Sequence, residues 1–449
     1  MLELIFVWAA LLIALIVFAI GKPREGGALT LAYFLGLSLI HVPGCLAYLN
    51  GIQGSTDFEN TRVGFEVTLI GMAAFVAGAI WVRLTHKHGT RTNGIVPSID
   101  ALERLGWHLI VTGMIAYFIV APLAGFVPSA TSFLSSIPTM LVLGLWLRFY
   151  CAELAGSQRQ TVVTLALLPL LPLGTLVMGG FIGYGVNWVL SSIAFFYVIA
   201  RKRILFYLTA PLVAYLGLSL FVTYMGQREG IRDIIWYQNA DVVVRFDRVS
   251  TIFTEFQLLD LNLYEHTNAL DGRLNQNKLV GAGVERYQEG QVNLSYGRTV
   301  PLWTLIPRVI WPDKPSVGGS SDVVSEFTGI QFAVGTSVGI GQVLEFYMNF
   351  GIVGVITGFL TLGALLSWLD LNIMKAIAIG DSRGLILNGL PGLTLLQPGG
   401  SLMEMLVALV AAFLGAHALL YLNYFSNPSL RSRPASKTII QSNRALHGQ

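Results

Sequence analysis

The chain has 449 residues, 54% of them hydrophobic and only 12% charged, with a mean hydropathy of +0.65. Soluble domains carry charge on about a quarter of their residues, so this composition excludes a water-soluble protein and makes the bilayer part of the solvent. The net charge of +3 says little by itself; the placement of the charges says more, and no nucleic-acid partner is expected.

In chain order, apolar stretches long enough to cross a bilayer fall near 2–20, 30–49, 63–82, 107–125, 132–151, 162–179, 181–200, 204–224, 344–368, 385–398 and 402–424. The first has no leading basic cluster and no small-x-small cleavage site, so it reads as a retained helix rather than a signal peptide. The tenth, LILNGLPGLTLLQP, is short and holds Gly and Pro, as a half-span or re-entrant segment would. The expected fold is all-α: a polytopic membrane protein of roughly eleven helices. Its parts are an eight-helix bundle over 1–224, a large loop over 225–343, further spans over 344–424 and a disordered basic tail over 425–449.

Lys and Arg in the short loops set the orientation. Lys22, Arg24, Arg83, Lys87, Arg91, Arg104, Arg148, Arg159, Arg201, Lys202, Arg203, Lys375 and Arg383 alternate to one side with the basic tail, and the opposite short loops hold only Arg62. This predicts a non-cytoplasmic N-terminus and a cytoplasmic C-terminus, with the large loop on the non-cytoplasmic face. Cys45 and Cys151 fall at opposite ends of the membrane and read as buried thiols rather than a disulfide.

The large loop carries the remaining ten basic residues and most of the acidic ones. Arg228 and Arg232 lie four apart directly after the eighth span, so a continued helix puts both on one face. Arg245 and Arg248, three apart, form a second pair. Guanidinium forks match phosphate oxygens and keep their charge, so these pairs are candidates for gripping a lipid pyrophosphate. The competing reading is salt bridging to Glu229, Asp233 and Asp241. In PLWTLIPRVIWPDKP (301–315) the prolines forbid one long helix and two tryptophans suggest the headgroup level. Arg308 and Lys314 there could face the head group or simply dock the loop. Glu345, at the edge of a spanning stretch, is a candidate functional carboxylate, with Tyr347 and Asn349 beside it; pairing with a loop arginine is the alternative. His266 reads as a solvated loop histidine, His86 and His88 as charge decoration, and Glu404 as a helix cap or a support for the site. Walker-type loops, metal-spaced Cys or His clusters, HExxH and DxD are missing, so neither cofactor nor metal is expected. Few charges fall in mid-membrane, which argues against an ion-coupled transporter.

IPRVIWPDKP (306–315), EFTGI (326–330) and GQVLEFYMNFGIVGVITGFLTLG (341–363) resemble the C-terminal half of Wzy-type O-antigen polymerases, the oligosaccharide repeat-unit polymerases, and the layout is similar too. The resemblance implies a GT-C-like helical fold in a bacterial inner membrane and a metal-independent glycosyltransferase. Its substrates would be undecaprenyl-pyrophosphate-linked oligosaccharides, polymerised at the periplasmic face into O-antigen, capsule or exopolysaccharide. A flippase and a chain-length regulator would be partners. Arg228, Arg232, Arg245, Arg248 and Lys314 would hold pyrophosphate and glycan with Tyr347 and Asn349, while Arg308 and Glu345 would be catalytic. One departure is that no arginine of the large loop is followed by fifteen residues and a Gly, a pattern some of these polymerases carry. Three other readings stay open. An O-antigen ligase would need His266 as base. A lipid-phosphate-sugar transferase of the GT-C type would use Asp57 and Glu59 of the first loop. A polysaccharide or lipid transporter would form no bond at all.

Overall fold

The computed structural model describes residues 1–21, 25–49, 56–86, 99–120, 137–200, 203–238, 240–300, 306, 310–311, 313, 320–332 and 338–421. Among these the chain is helical throughout, without strands. Among the described residues seven helical stretches are long and apolar enough to cross a membrane: Leu2–Ile20, Ala28–Leu46, Asp57–Thr85, Gln158–Gly179, Ile204–Tyr237, Gln342–Ile379 and Leu402–Tyr421. This is a membrane-embedded helical protein.

The bundle begins with α1 (Leu2–Ala14, prolonged by a π turn to Ile20), α2 (Ala28–Leu46) and α3 (Thr56–Thr85). It continues through α4 (Ile99–Ile115), α5 (Met140–Ala155), α6 (Gln158–Ala166), α7 (Leu170–Gly179), α8 (Gly183–Ile199) and α9 (Ile204–Arg232). The loop supplies α10 (Val242–Thr254), α11 (Tyr264–Arg273), α12 (Asn277–Gln288) and α13 (Ser320–Thr328). Last come α14 (Gln342–Ile379), α15 (Ser382–Thr394) and α16 (Leu402–Tyr421). The sixth apolar stretch, expected as one helix over 162–179, is broken between α6 and α7. Pro169 N-caps α7 and Pro172 follows inside it, and neither ring nitrogen can donate. The tenth stretch is a 13-residue helix with Pro391 inside it, about 20 Å long against a hydrocarbon core of about 30 Å.

Small residues let the bundle close. A Cβ on Gly78 would stand 2.1 Å from the Leu360 carbonyl oxygen, and one on Gly363 would stand 2.0 Å from that of Phe75. Ser367 Oγ donates to the Ala79 carbonyl at 3.2 Å. The pairs 75/363 and 79/367 keep one register, so α3 and α14 run parallel at backbone contact, as small residues permit between membrane helices. At one end of this pair the Asp370 carboxylate, 2% exposed, accepts from Leu29 N (2.8 Å), Thr30 N (3.0 Å) and Thr30 Oγ1 (2.7 Å). Asp370 of α14 thus caps the start of α2, whose first N–H groups have no intrahelical partner.

At the opposite end the loop is tied to the bundle at two helix breaks. Pro43 interrupts α2. There Gly44 N donates to Leu274 O (3.0 Å), while Ile40 O accepts from Gln276 N (2.9 Å) and His41 O from Asn277 Nδ2 (2.7 Å). In α14 the backbone leaves the helix at Phe350 and at Gly351 (φ 59°), a left-handed conformation that suits glycine. The freed carbonyls of Met348 and Asn349 accept from Ser295 N (2.8 Å) and Tyr296 N (3.2 Å). Irregular backbone at membrane depth persists only where its polar groups find partners, and in both breaks the loop supplies them. α12 lies antiparallel along α3, where a Cβ on Gly64 or Gly281 would come 1.9 Å from the carbonyl oxygen of Asn277 or Asn60.

Candidate functional site

α9 runs from Ile204 to Arg232 and turns on to Tyr237. About 20 residues cross the hydrocarbon core, so a helix entering at Ile204 leaves it near Tyr224 and carries Arg228 and Arg232 roughly 6–12 Å beyond. That is the headgroup level. Continuation of the helix places both arginines on one face, as their spacing predicts.

Spacing along the chain offers no reason to add Arg273 to them. The charges of Arg228 and Arg273 both act on Arg232. Burial, followed by the charge of Arg228, lowers the pKa of Arg273. Tyr224, 3% exposed, lies near Arg232 and Arg273. Arg232 stacks over the rings of Trp236 (4.5 Å) and Phe181 (5.2 Å), and its Nε is buried with no hydrogen-bond partner. Among the described residues no ion pair joins Arg228, Arg232, Arg248 or Arg273 to a carboxylate. The expected salt-bridge partners are otherwise placed: Asp233 accepts from Gln238 Nε2 (2.6 Å) and Asp241 caps α10 through Val244 N (3.0 Å). The second pair divides. Arg245 binds the carbonyls of Ala240 (2.7 Å) and Met178 (3.4 Å), a structural task. Arg248 lies against α9, its Nη2 2.5 Å from where a Cβ of Gly230 would be.

Glu345 is 1% exposed, and its Oε2 accepts from Leu402 N at 2.5 Å. Leu402 opens α16, where Ser401 and Glu404 form a reciprocal capping box: Ser401 N donates to Glu404 Oε2 and Glu404 N to Ser401 Oγ, each at 3.1 Å. Glu345 therefore engages a helix N-terminus and not the loop arginine that was its expected alternative. Asn349 Nδ2 donates to Thr299 Oγ1 (2.7 Å) and Glu345 O (2.8 Å), and its Oδ1 accepts from Gly297 N (2.7 Å). Thr299 also reaches the Glu345 carboxylate. Tyr347 is 6% exposed and packs edge-on to Tyr287 of α12. Beside Asn349 a groove of ≈ 450 Å³, lined by Phe346, Phe350, Gly354, Gly358 and Leu402, follows the break in α14. A wider polar cleft of ≈ 870 Å³ opens between α12 and α13, lined by Lys278, Glu285, Arg286, Ser325 and Glu326 among others. Among the described residues no hydrogen bond or ion pair joins the arginine cluster to Glu345. Arg308 and Lys314 lie outside the described residues.

His266 is buried, not solvated as its loop position suggested. Its Nδ1 accepts from Asp260 N and its Nε2 meets Gln257 Oε1, both at 3.1 Å, so neither nitrogen is free. Asp57 is paired with Lys278 at 2.9 Å, and Glu59 is exposed. Both cysteines are free and buried. Sequence reasoning also passed over Asp370, which lies just past the expected end of its span, and the buried pair His41 and Asn277. No set of three or more His, Cys, Asp or Glu among the described residues could hold a metal ion. The fold and the arginine cluster define a polytopic helical membrane protein with a cationic, aromatic-walled site where a long helix ends. No protein-family model, characterised protein or solved structure matches the chain.

Proposed function

We propose that this chain is a glycosyltransferase of the bacterial inner membrane that polymerises undecaprenyl-pyrophosphate-linked oligosaccharide repeat units at the periplasmic face. One observation carries the reading: Arg228, Arg232 and Arg273 converge without a described carboxylate partner. Three like charges repel one another, and an anion with several oxygens relieves that repulsion through charge-assisted bonds. In the transfer, the anomeric carbon–oxygen bond to pyrophosphate breaks as the acceptor hydroxyl oxygen bonds to that carbon. The hydroxyl proton passes to a base, and undecaprenyl pyrophosphate leaves with the negative charge. Preorganised cations at the leaving group stabilise that charge, each donor contributing about 2.7–4 kcal/mol. Arg308 and Glu345 keep their proposed catalytic parts, with Glu345 as the base.

The test is reconstitution of the purified protein in liposomes with its host's lipid-linked repeat unit, without nucleotide. A product ladder is expected. Arg228→Gln or Arg232→Gln should each slow it by about 10²–10³-fold. A wild-type protein that makes no ladder, or a double variant that makes it at the wild-type rate, overturns the proposal.

A further inference from the structure

α9 and α10 form a hairpin. Residue numbers on α10 rise as those on α9 fall: Arg248 lies against Gly230, Thr251 Oγ1 donates to Gln227 Oε1, and Gln227 Nε2 donates to Glu255 Oε2 (2.6 Å). Beyond α10 the chain is no longer helical but stays on α9. Thr223 Oγ1 accepts from Gln257 N and Ser219 Oγ from Leu259 N, both at 3.0 Å, and Tyr215 Oη donates to Leu259 O (3.1 Å). α9 leaves the hydrocarbon core near Tyr224, and Ser219 is five residues before that point. At a rise of about 1.5 Å per residue, Leu259 therefore stands about 8 Å inside the boundary.

α2 marks the same level. Leu39 packs with Leu218, Leu259 and Leu261 around Leu270 and Leu274. It lies seven residues before the end of its span at Leu46, which is about 10 Å inside. α11 then climbs to the boundary, where Leu274 O accepts from Gly44 N and Arg273 joins the arginine cluster. His266 and Leu270 of α11 are buried, whereas Glu265, Asn268 and Gly272, at i, i+3 and i+7, share an exposed face. Asp260 and Asn262, just before the helix, are exposed as well. Carboxylates at such a depth do not face acyl chains; they face the bundle interior or a water-filled cavity. Backbone that leaves the helix there is held to the same choice. Exposure of these side chains rules out the interior and leaves the cavity.

We infer that the 255–263 segment and the polar face of α11 line a water-filled vestibule. It opens at the arginine-bearing end of α9, reaches below the membrane boundary and admits small hydrophilic solutes. Leu258, Leu263 and Tyr264 are exposed beside the polar residues, so the segment meets lipid on one flank and water on the other. Arg273, at the upper end of α11, stands at the rim. A phosphate-bearing head drawn to the arginines thus has water beneath it rather than acyl chains. The inference needs α9 and α2 as spans and does not depend on the proposed chemistry.

The test uses the full-length protein in nanodiscs of phosphatidylcholine and phosphatidylglycerol, where both faces are open to reagent. Single cysteines are introduced as Asn262→Cys, Glu265→Cys, Leu216→Cys and Asp247→Cys and treated with a quaternary-ammonium methanethiosulfonate. Native Cys45 and Cys151 are buried and stay in place, with the unsubstituted protein as the labelling blank. All four positions are exposed, so the substitutions leave the core intact. Leu216 lies on α9 below the vestibule floor and reports the lipid; Asp247 lies on α10 beyond the boundary and reports free water. Positions 262 and 265 should react within severalfold of the rate at 247. Position 216 should react roughly 100-fold more slowly, because the reagent's charge keeps it out of hydrocarbon. Reaction at 262 and 265 as slow as at 216 overturns the inference, since lipid or protein would then cover the face. So does reaction at 216 as fast as at 262, which would put the membrane boundary below the whole segment.

Discussion

Asn277 fastens the loop to the bundle, and its replacement by alanine should be costly in a calculable way. The side chain is wholly buried. Its Oδ1 meets His41 Nδ1 (2.6 Å) and accepts from Thr68 Oγ1 (3.1 Å); its Nδ2 donates to His41 O (2.7 Å) and Cys45 Sγ (3.3 Å). Thr68, Cys45 and the His41 carbonyl each keep another contact: Thr68 still donates to Gly64 O (2.9 Å), and Cys45 Sγ still donates to His41 O (3.2 Å). His41 Nδ1 is left with only Thr68 Oγ1 at 3.4 Å. One poorly satisfied buried donor costs about 1–3 kcal/mol, and the unfilled space adds a further loss that grows with its volume. Asn277→Ala should therefore destabilise the protein by about 2–4 kcal/mol. Asn277→Asp should be worse, because an ionised carboxylate donates nothing to His41 O and brings a charge into an apolar interior. Unfolding of the purified protein by SDS in mixed micelles gives the midpoint, and limited proteolysis shows whether the 264–300 segment is released. If Asn277→Ala unfolds at the same SDS fraction as a surface control such as Glu265→Ala, the account of the α2 break is wrong.

Removing the remote cap by Asp370→Ala strips two backbone N–H groups and a hydroxyl of their shared acceptor, and about 3–5 kcal/mol is expected for breaking such a buried charged contact; the same SDS titration reads it. Gly281→Ala should cost about 1–3 kcal/mol by overpacking, since its Cβ would collide with the Asn60 carbonyl; a cysteine pair engineered across α3 and α12 should then crosslink more slowly than in the parent. Burial alone would lower the Lys278 pKa, but the hydrogen bonds to Asp271 and Asp57 outweigh it and raise the value. A raised folded pKa means this contact stabilises fully below the unfolded lysine value of about 10.4 and is lost as pH rises through the folded value. Stability against SDS should show a decline above pH 10 that is smaller in Lys278→Met.

Much of the architecture was legible because bilayer-crossing helices need apolar length; each expected stretch contains helix where it is described, and among the described residues seven helices are long and apolar enough to cross. That Arg228 and Arg232 share one face was legible from their spacing, given a continued helix. What stayed hidden depends on contacts distant in sequence. His41 looked like one polar residue in an apolar run until Asn277, 236 positions later, met it. Arg273 joins the arginine cluster only because α11 folds back beside α9. His266 read as solvated because loops usually are, yet Asp260 N and Gln257 engage both its nitrogens. The break at Gly351 lies inside a continuous apolar stretch, and its acceptors are filled by backbone N–H groups, which leave no mark on composition.

The Asp370 cap has a bearing on how the chain is made. α2 enters the membrane early in synthesis, but the carboxylate that completes its first turn is encoded 341 residues after Leu29. Until α14 is inserted, the N–H groups of Leu29 and Thr30 must find temporary partners in water or lipid headgroups. A ribosome stalled before position 370 would therefore hold an early helix that is in the bilayer but not yet settled. The first helices therefore reach their final hydrogen bonding only after α14 is inserted.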